Sequence, residues 1–138
     1  MTLYHDESIR DHLAAAIDQV PVELYPENPL DYDLQHQHGA VLVMYTGARP
    51  GEVDSGVQVE EQRYRVVILA RGLRDGLGAH ALMEACRGAL RGHSPDGLAR
   101  LRLLDERLVG HHEGVWRWEQ DWGLRVVSAT AAGDDGYL

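Results

Sequence analysis

The amino-acid sequence predicts an α+β domain, with a mainly antiparallel sheet of about four to five strands and two helices packed on one face, in the order α-β-β-β-α-β-β. Three observations predict it. Two long strand-like segments, Gly39 to Gly47 and Val57 to Ala70, stand next to each other and end apolar on both faces. Stretches with helical spacing of apolar residues stand before and after that pair. Near the end, a segment alternates with strand parity: Trp116, Trp118, Gln120, Trp122, Leu124 and Val126 point one way, and Arg117, Glu119, Asp121 and Arg125 the other. One of its faces is expected in the core and the other in water.

The first helix is expected from about Glu7 to Gln19, because Ile9, Leu13, Ala16, Ile17 and Val20 recur every three or four positions. Asp6 is its expected N-cap and Pro21 its stop. Val22-Glu23-Leu24 then forms a short strand, followed by a loop from Tyr25 to Asp33 whose two prolines, Pro26 and Pro29, oppose regular structure. The two long strands are expected to be joined by an exposed loop, Ala48 to Gly56, since Pro50, Gly51, Asp54, Ser55 and Gly56 are turn formers. The second helix is expected from Leu77 to Leu90, with Asp75 as N-cap, Gly92 as C-cap and Pro95 just beyond. Leu101, Leu103, Leu108 and Val109 outline a strand that pairs with the tryptophan strand across a turn at His111 to Gly114. Residues 1–127 form the expected single domain, and residues 128–138 a flexible acidic tail.

A chain of 138 residues suits one domain with a real core. Its longest apolar run, Ala40 to Tyr45, falls far short of the roughly 20 residues of a membrane helix. The amino terminus lacks a basic start and an apolar stretch, so no secretory signal is read there and the expected compartment is the cytoplasm. The formal charge is −9, and every one of the 13 basic residues is an arginine, so the basic surplus that neutralises phosphates is missing and nucleic acid is not an expected direct ligand. The single cysteine, Cys86, shares helical spacing with Leu82, Ala89 and Leu90 and reads as a buried core residue.

Gly76-Leu-Gly-Ala-His-Ala81 matches the glycine pattern of a dinucleotide-binding turn. Its context opposes that chemistry: five residues separate it from the preceding strand, and Asp75 puts a negative charge where a pyrophosphate would sit. A tight helix start is the preferred reading. His36 and His38 would share one side of a strand and could begin a metal site, but nothing brings His111, His112 or Glu113 to them as further ligands, and no metal is expected. Ser8, Ser55, Ser94 and Ser128 lack any nucleophile elbow. No catalytic residue and no cofactor are expected. Trp and Arg also anchor subunit interfaces, and Arg49, Glu52 and Asp54 in the long loop, with Arg71 beyond the second long strand, are the candidate contact residues.

The order of these elements, together with His38-Gly-Ala-Val-Leu-Val-Met-Tyr-Thr-Gly47, the strand to Ala70 running into Arg71-Gly-Leu73, Leu90-Arg-Gly92 and Gly114-Val-Trp116, resembles a family of small tail proteins of Mu-like phages and prophages. That family is similar in fold to the tail terminator proteins of long-tailed phages. The resemblance runs from about Ile9 to Val127, and Gly39, Tyr45, Gly47 and Trp116 are its pattern positions, which look like fold determinants. It implies a non-enzymatic virion part. Such a part would close into a ring with itself, expected to be hexameric, on the tail tube protein, stop its polymerisation and meet a head-completion or connector protein. Its place would be the virion tail, after assembly in the host cytoplasm. The alternatives are another completion or connector protein of the same fold, or a small nucleotide-binding enzyme using Gly76 to Ala81. An acidic subunit makes a negative ring unless arginine is concentrated on one surface.

Overall fold

The computed structural model describes residues 4–27 and 34–129. Helix α1 (Asp6–Ala16) precedes strands β1 (Val22–Leu24), β2 (Gly39–Asp54) and β3 (Val57–Ala70), then come helix α2 (Ala79–Leu90) and strands β4 (Arg102–His112) and β5 (Val115–Ala129). This is the expected α+β order. The five strands form one sheet in the order β1-β2-β3-β5-β4, antiparallel throughout except for the parallel pairing of β1 with β2.

Both helices lie on one face. Ile9 and Leu13 from α1 and Leu82, Met83, Cys86 and Leu90 from α2 pack on Val41, Val43, Tyr64, Val66, Ile68, Trp122 and Leu124. Residues of opposite parity, Leu42, Val67 and Leu69, form a smaller cluster on the other face with Tyr25, Leu34 and Val115. The apolar run therefore reflects burial on two sides, as the sequence suggests. Burial pushes the Cys86 thiol up to about 12, with Glu106 adding to the effect, so this sulfur is an inert core atom.

Tyr64 and Trp122 face each other across β3 and β5, both fully buried. Their polar atoms are satisfied: the Tyr64 hydroxyl donates to Gln62 Oε1 at 2.6 Å and accepts the His5 amide at 3.0 Å, and Trp122 Nε1 donates to Gln120 Oε1 at 3.2 Å. Gln120 Nε2 in turn donates to the Met83 carbonyl and to Glu106 Oε1.

Several boundaries differ from expectation. The Ala48 to Gly56 loop does not exist as a loop: β2 continues to Asp54, and only Ser55 and Gly56 turn the chain. Both have positive φ, 53° and 78°, the signature of a two-residue turn whose twist matches the strands; Glu113 and Gly114 repeat it between β4 and β5 at 51° and 80°. Pro50 and Gly51 are tolerated because β1 pairs only with Val41 to Val43, which leaves the rest of β2 as a sheet edge, and because an irregularity between Pro50 and Val53 absorbs them. Gln58 Nε2 donates to the Gly51 carbonyl at 2.7 Å across that irregularity.

Helix α1 ends at Ala16 rather than Gln19. Ile17 is already extended, and Pro21 biases Val20 away from helical geometry, while both side chains stay buried. His5, not Asp6, is its N-cap. Helix α2 begins at Ala79 with Gly78 as N-cap; Asp75 instead accepts the Leu77 amide at 3.0 Å, closing a turn ahead of the helix. Strand β5 runs on to Ala129, so Ser128 and Ala129 of the expected tail belong to the sheet; residues 130–138 lie outside the described residues. Part of the expected Tyr25 to Asp33 loop, residues 28–33, lies outside them too.

His12 on α1 stacks on His93 after α2, with ring centroids 3.6 Å apart and planes 6° from parallel, and His12 Nε2 lies 2.9 Å from the Ala89 carbonyl oxygen. Burial, and then the neighbouring His12, hold His93 below the usual imidazole range. A histidine with a lowered folded pKa favours its neutral form in the fold, so its contribution is present above the ordinary value near 6.5 and is lost as pH falls through the folded value. Unfolding free energy is expected to decline as pH falls below about 6.5, and His93→Gln to flatten that decline. Urea titrations of both proteins across this range check it; parallel curves would remove His93 from the pH response.

Candidate interaction surface

The face of the sheet opposite the helices carries charge where the sequence suggests a simple wetted side. Register and parity place seven of the 13 arginines there (Arg49, Arg63, Arg65, Arg102, Arg107, Arg117 and Arg125), with five of the 22 carboxylates, Asp54, Glu61, Asp105, Glu119 and Asp121. This gives the face a surplus of two positive charges. Among the described residues, the remaining six arginines and 13 carboxylates leave −7 elsewhere, so the acidic chain has one arginine-rich side.

Two clusters make up this surface. In the first, Glu119 is only 6% exposed, and its carboxylate accepts Arg107 Nη2 at 2.6 Å and Arg117 Nη2 at 2.9 Å, with Arg65 Nε at 3.4 Å. Asp121 accepts Arg65 Nε at 2.9 Å and Arg107 Nη1 at 2.8 Å. Burial pushes the Asp121 carboxyl up, but the hydrogen bonds and charges of Arg65 and Arg107 outweigh it and hold the group below the usual carboxylate range. Arg107 is raised by the same bonds to Asp121 and Asp105. Arg117 also donates to the Tyr25 hydroxyl at 3.2 Å and lies over its ring, anchoring the chain between β1 and β2. Arg65 of β3 and Arg107 of β4 both reach the carboxylates of β5, so the lattice ties three strands in register, while Arg117 bonds Glu119 on its own strand.

The second cluster centres on Glu61. Arg102 Nη2 bonds its carboxylate, Arg63 Nη2 lies 3.4 Å from it, and Arg49 and Arg125 stand directly opposite it on β2 and β5. Cross-strand partners have Cβ atoms about 4.5–5.5 Å apart, within easy reach of a guanidinium. Glu61 is thus one carboxylate among four arginines. Arg63 Nε is buried without a hydrogen-bond partner, and among the described residues Arg49 and Arg125 make no ion pair.

Residues 9–133, nearly the whole chain, match the Gp37 protein family. The chain belongs to that family. Gp37 proteins are phage-associated, so this is a phage-associated protein. No curated protein matches the chain.

In this Gp37 protein the four pattern positions lie at a close strand approach, a bulge and two aromatic contacts. A Cβ on Gly39 would sit 2.2 Å from the Leu69 carbonyl oxygen, so β2 and β3 approach there as only glycine permits. Gly47, at φ 141°, follows a register shift in which Thr46 is the extra residue. Tyr45 packs against Tyr4 and Tyr64, and Trp116 against His111.

The candidate contact residues divide. Arg49 belongs to the Glu61 cluster, while Glu52 and Asp54 lie on the exposed end of β2, where Asp54 Oδ1 accepts the Ser55 hydroxyl. Arg71 is engaged within its own chain, donating to the carbonyls of Leu34 and His36 at 3.0 and 3.2 Å, and so pins the segment that leads into β2. Glu61, Arg63, Arg102, Arg107, Glu119 and Asp121 were not singled out as interface residues by the sequence. The alternation of charge at odd positions in Glu61-Gln-Arg63-Tyr-Arg65 and Arg117-Trp-Glu119-Gln-Asp121 is a signal for four of them, but only the register shows which charges meet and brings Arg102 and Arg107 of β4 to them.

The glycine turn at Gly76 offers no phosphate cradle. The Leu77 amide is taken by Asp75 Oδ1, Gly78 by the Asp75 carbonyl, Ala79 by Gly72 and His80 by Leu73. His36 Nδ1 accepts the His38 and Gly39 amides, and among the described residues no three metal-ligating side chains gather. An open hollow of about 300 Å³ lies between α2 and the sheet, lined by His80, Met83, Glu84, Arg87, Glu106 and Trp118. The pair Arg87–Glu106, bidentate at 2.9 and 2.8 Å, neutralises its wall. Among the described residues, no helix is long and apolar enough to cross a membrane.

Proposed function

We propose that this protein is a structural, non-enzymatic component of a phage tail. It closes into a hexameric ring on the end of the tail tube, stops tube polymerisation, and offers a surface to a head-completion or connector protein. The observation that carries this reading is the match of nearly the whole chain to a phage-associated family, in a protein whose most developed surface is a lattice of arginines and carboxylates rather than a cleft. A heterologous contact that repeats around an axis needs two different, complementary surfaces on one subunit, and the opposed charge of the sheet face and the remainder supplies them. The turn at Gly76, with its amides already occupied, gives a nucleotide-dependent enzyme little support. The protein is assembled in the host cytoplasm and carried in the virion tail.

Electron microscopy of the purified protein, alone and mixed with tail tubes, tests this reading. Closed rings with a constant subunit number, seated on one end of each tube, are expected. Tubes that keep growing in the presence of a strictly monomeric protein would overturn it.

A further inference from the structure

The Glu61 cluster has more positive charge than its own carboxylate can satisfy, and it lies beside exposed apolar residues. Exposed Val57 and Val127 share its face with half-buried Val59, which stands directly opposite Val127, itself 66% exposed. Arginine beside exposed aliphatic surface is the composition of a protein contact, whereas a polyanion would call for a longer basic stripe on a less acidic chain. The chain itself carries the complementary surface. On the helical side of the molecule, Glu7 and Asp11 lie one turn apart on α1, both exposed, followed by exposed Ala14 and Ala15 in its last turn. Arg10 pairs with Asp11 at 2.6 Å, and with Asp6 beside Glu7 in the first turn the helix keeps a surplus of two negative charges. The alanines allow close approach.

We propose that the arginine cluster around Glu61, with Val57, Val59 and Val127, docks the acidic outer stripe of α1 of a second copy of this chain. The contact is heterologous: arginine-rich sheet face of one subunit against acidic helix of the next. Arg49 and Arg125 reach the incoming carboxylates, and Arg63 and Arg102 remain with Glu61 and hold the cluster in place. This rests on the self-assembly reading given above.

The test is a charge swap read by analytical ultracentrifugation, with circular dichroism to confirm folding. Variant one carries Arg49→Glu and Arg125→Glu, and variant two carries Glu7→Arg and Asp11→Arg; Arg49→Gln with Arg125→Gln serves if the first folds poorly. Each variant alone is expected to associate at least about 10-fold more weakly than the parent. An equimolar mixture of the two charge-reversed variants is expected to regain association, because each offers the surface the other lacks. Raising the salt from about 0.05 to 0.5 M is expected to weaken the parent, since the Debye length shrinks several-fold. If the parent associates and neither variant differs from it, the docking assignment is wrong while self-assembly stands. A parent that stays monomeric at every concentration, alone and with tubes, overturns both. Tight binding of a duplex DNA probe that Arg49→Gln with Arg125→Gln abolishes, with association unchanged, would make the cluster a phosphate site and overturn the assignment.

Discussion

Gly39→Ala is expected to lower the unfolding free energy by about 3 kcal/mol, the upper end for forcing extra volume into a packed site. Gly39 pairs with Ala70 at the start of β2, and a methyl group there would lie 2.2 Å from the Leu69 carbonyl oxygen and 3.2 Å from the Ala70 Cα. Both obstacles are backbone, so no rotamer change relieves them; the strands have to separate where Val41, Val67 and Leu69 are buried on the two faces. The disturbance would also strain the bond from the Arg71 amide to the His38 carbonyl. Gly76→Ala is the control: nothing lies within 4 Å of its added carbon, and a change within about 1 kcal/mol is expected. Urea denaturation of both variants decides it. Equal stabilities would show that β2 and β3 separate at little cost.

Glu119→Ala is expected to cost about 3–5 kcal/mol, the range for removing one partner from a buried ion pair. The side chain is 8% exposed and accepts from Arg107 and Arg117, with Arg65 close by, whereas an ordinary surface pair contributes little. Without it, Asp121 still serves Arg65 and Arg107, but Arg117 loses its carboxylate and keeps only the Tyr25 hydroxyl. Adding Arg117→Met is therefore expected to recover part of the loss, and a double-mutant cycle measures the coupling. A single-variant loss under about 1 kcal/mol would mean that water enters the lattice and solvates it as a surface.

The element order was legible because the apolar period changes along the chain: three to four residues around Leu13 and Leu82, two residues from Trp116 to Val126, and an unbroken run where β2 is buried on both faces. The hairpin arm was not. Pro50 and Gly51 signal a loop locally, and their tolerance in a strand depends on β1 being too short to cover that edge. Arg71 was legible as a charged residue at a strand end, but its bonding to Leu34 and His36 depends on a segment remote in the chain returning to β3.

The sequence by itself determined the fold class, the burial of Cys86, the arginine-only basic composition and the outward parity of Arg117, Glu119, Asp121 and Arg125, all of which follow from residue type and local period. Tertiary structure decided which of these charges meet. Placing β5 between β3 and β4 sets Arg65 and Arg107 on either side of Asp121, and aligning β2, β3 and β5 puts Arg49 and Arg125 opposite Glu61. Pairing across strands far apart in sequence is fixed by register, and register follows from the whole sheet burying its apolar face under the helices.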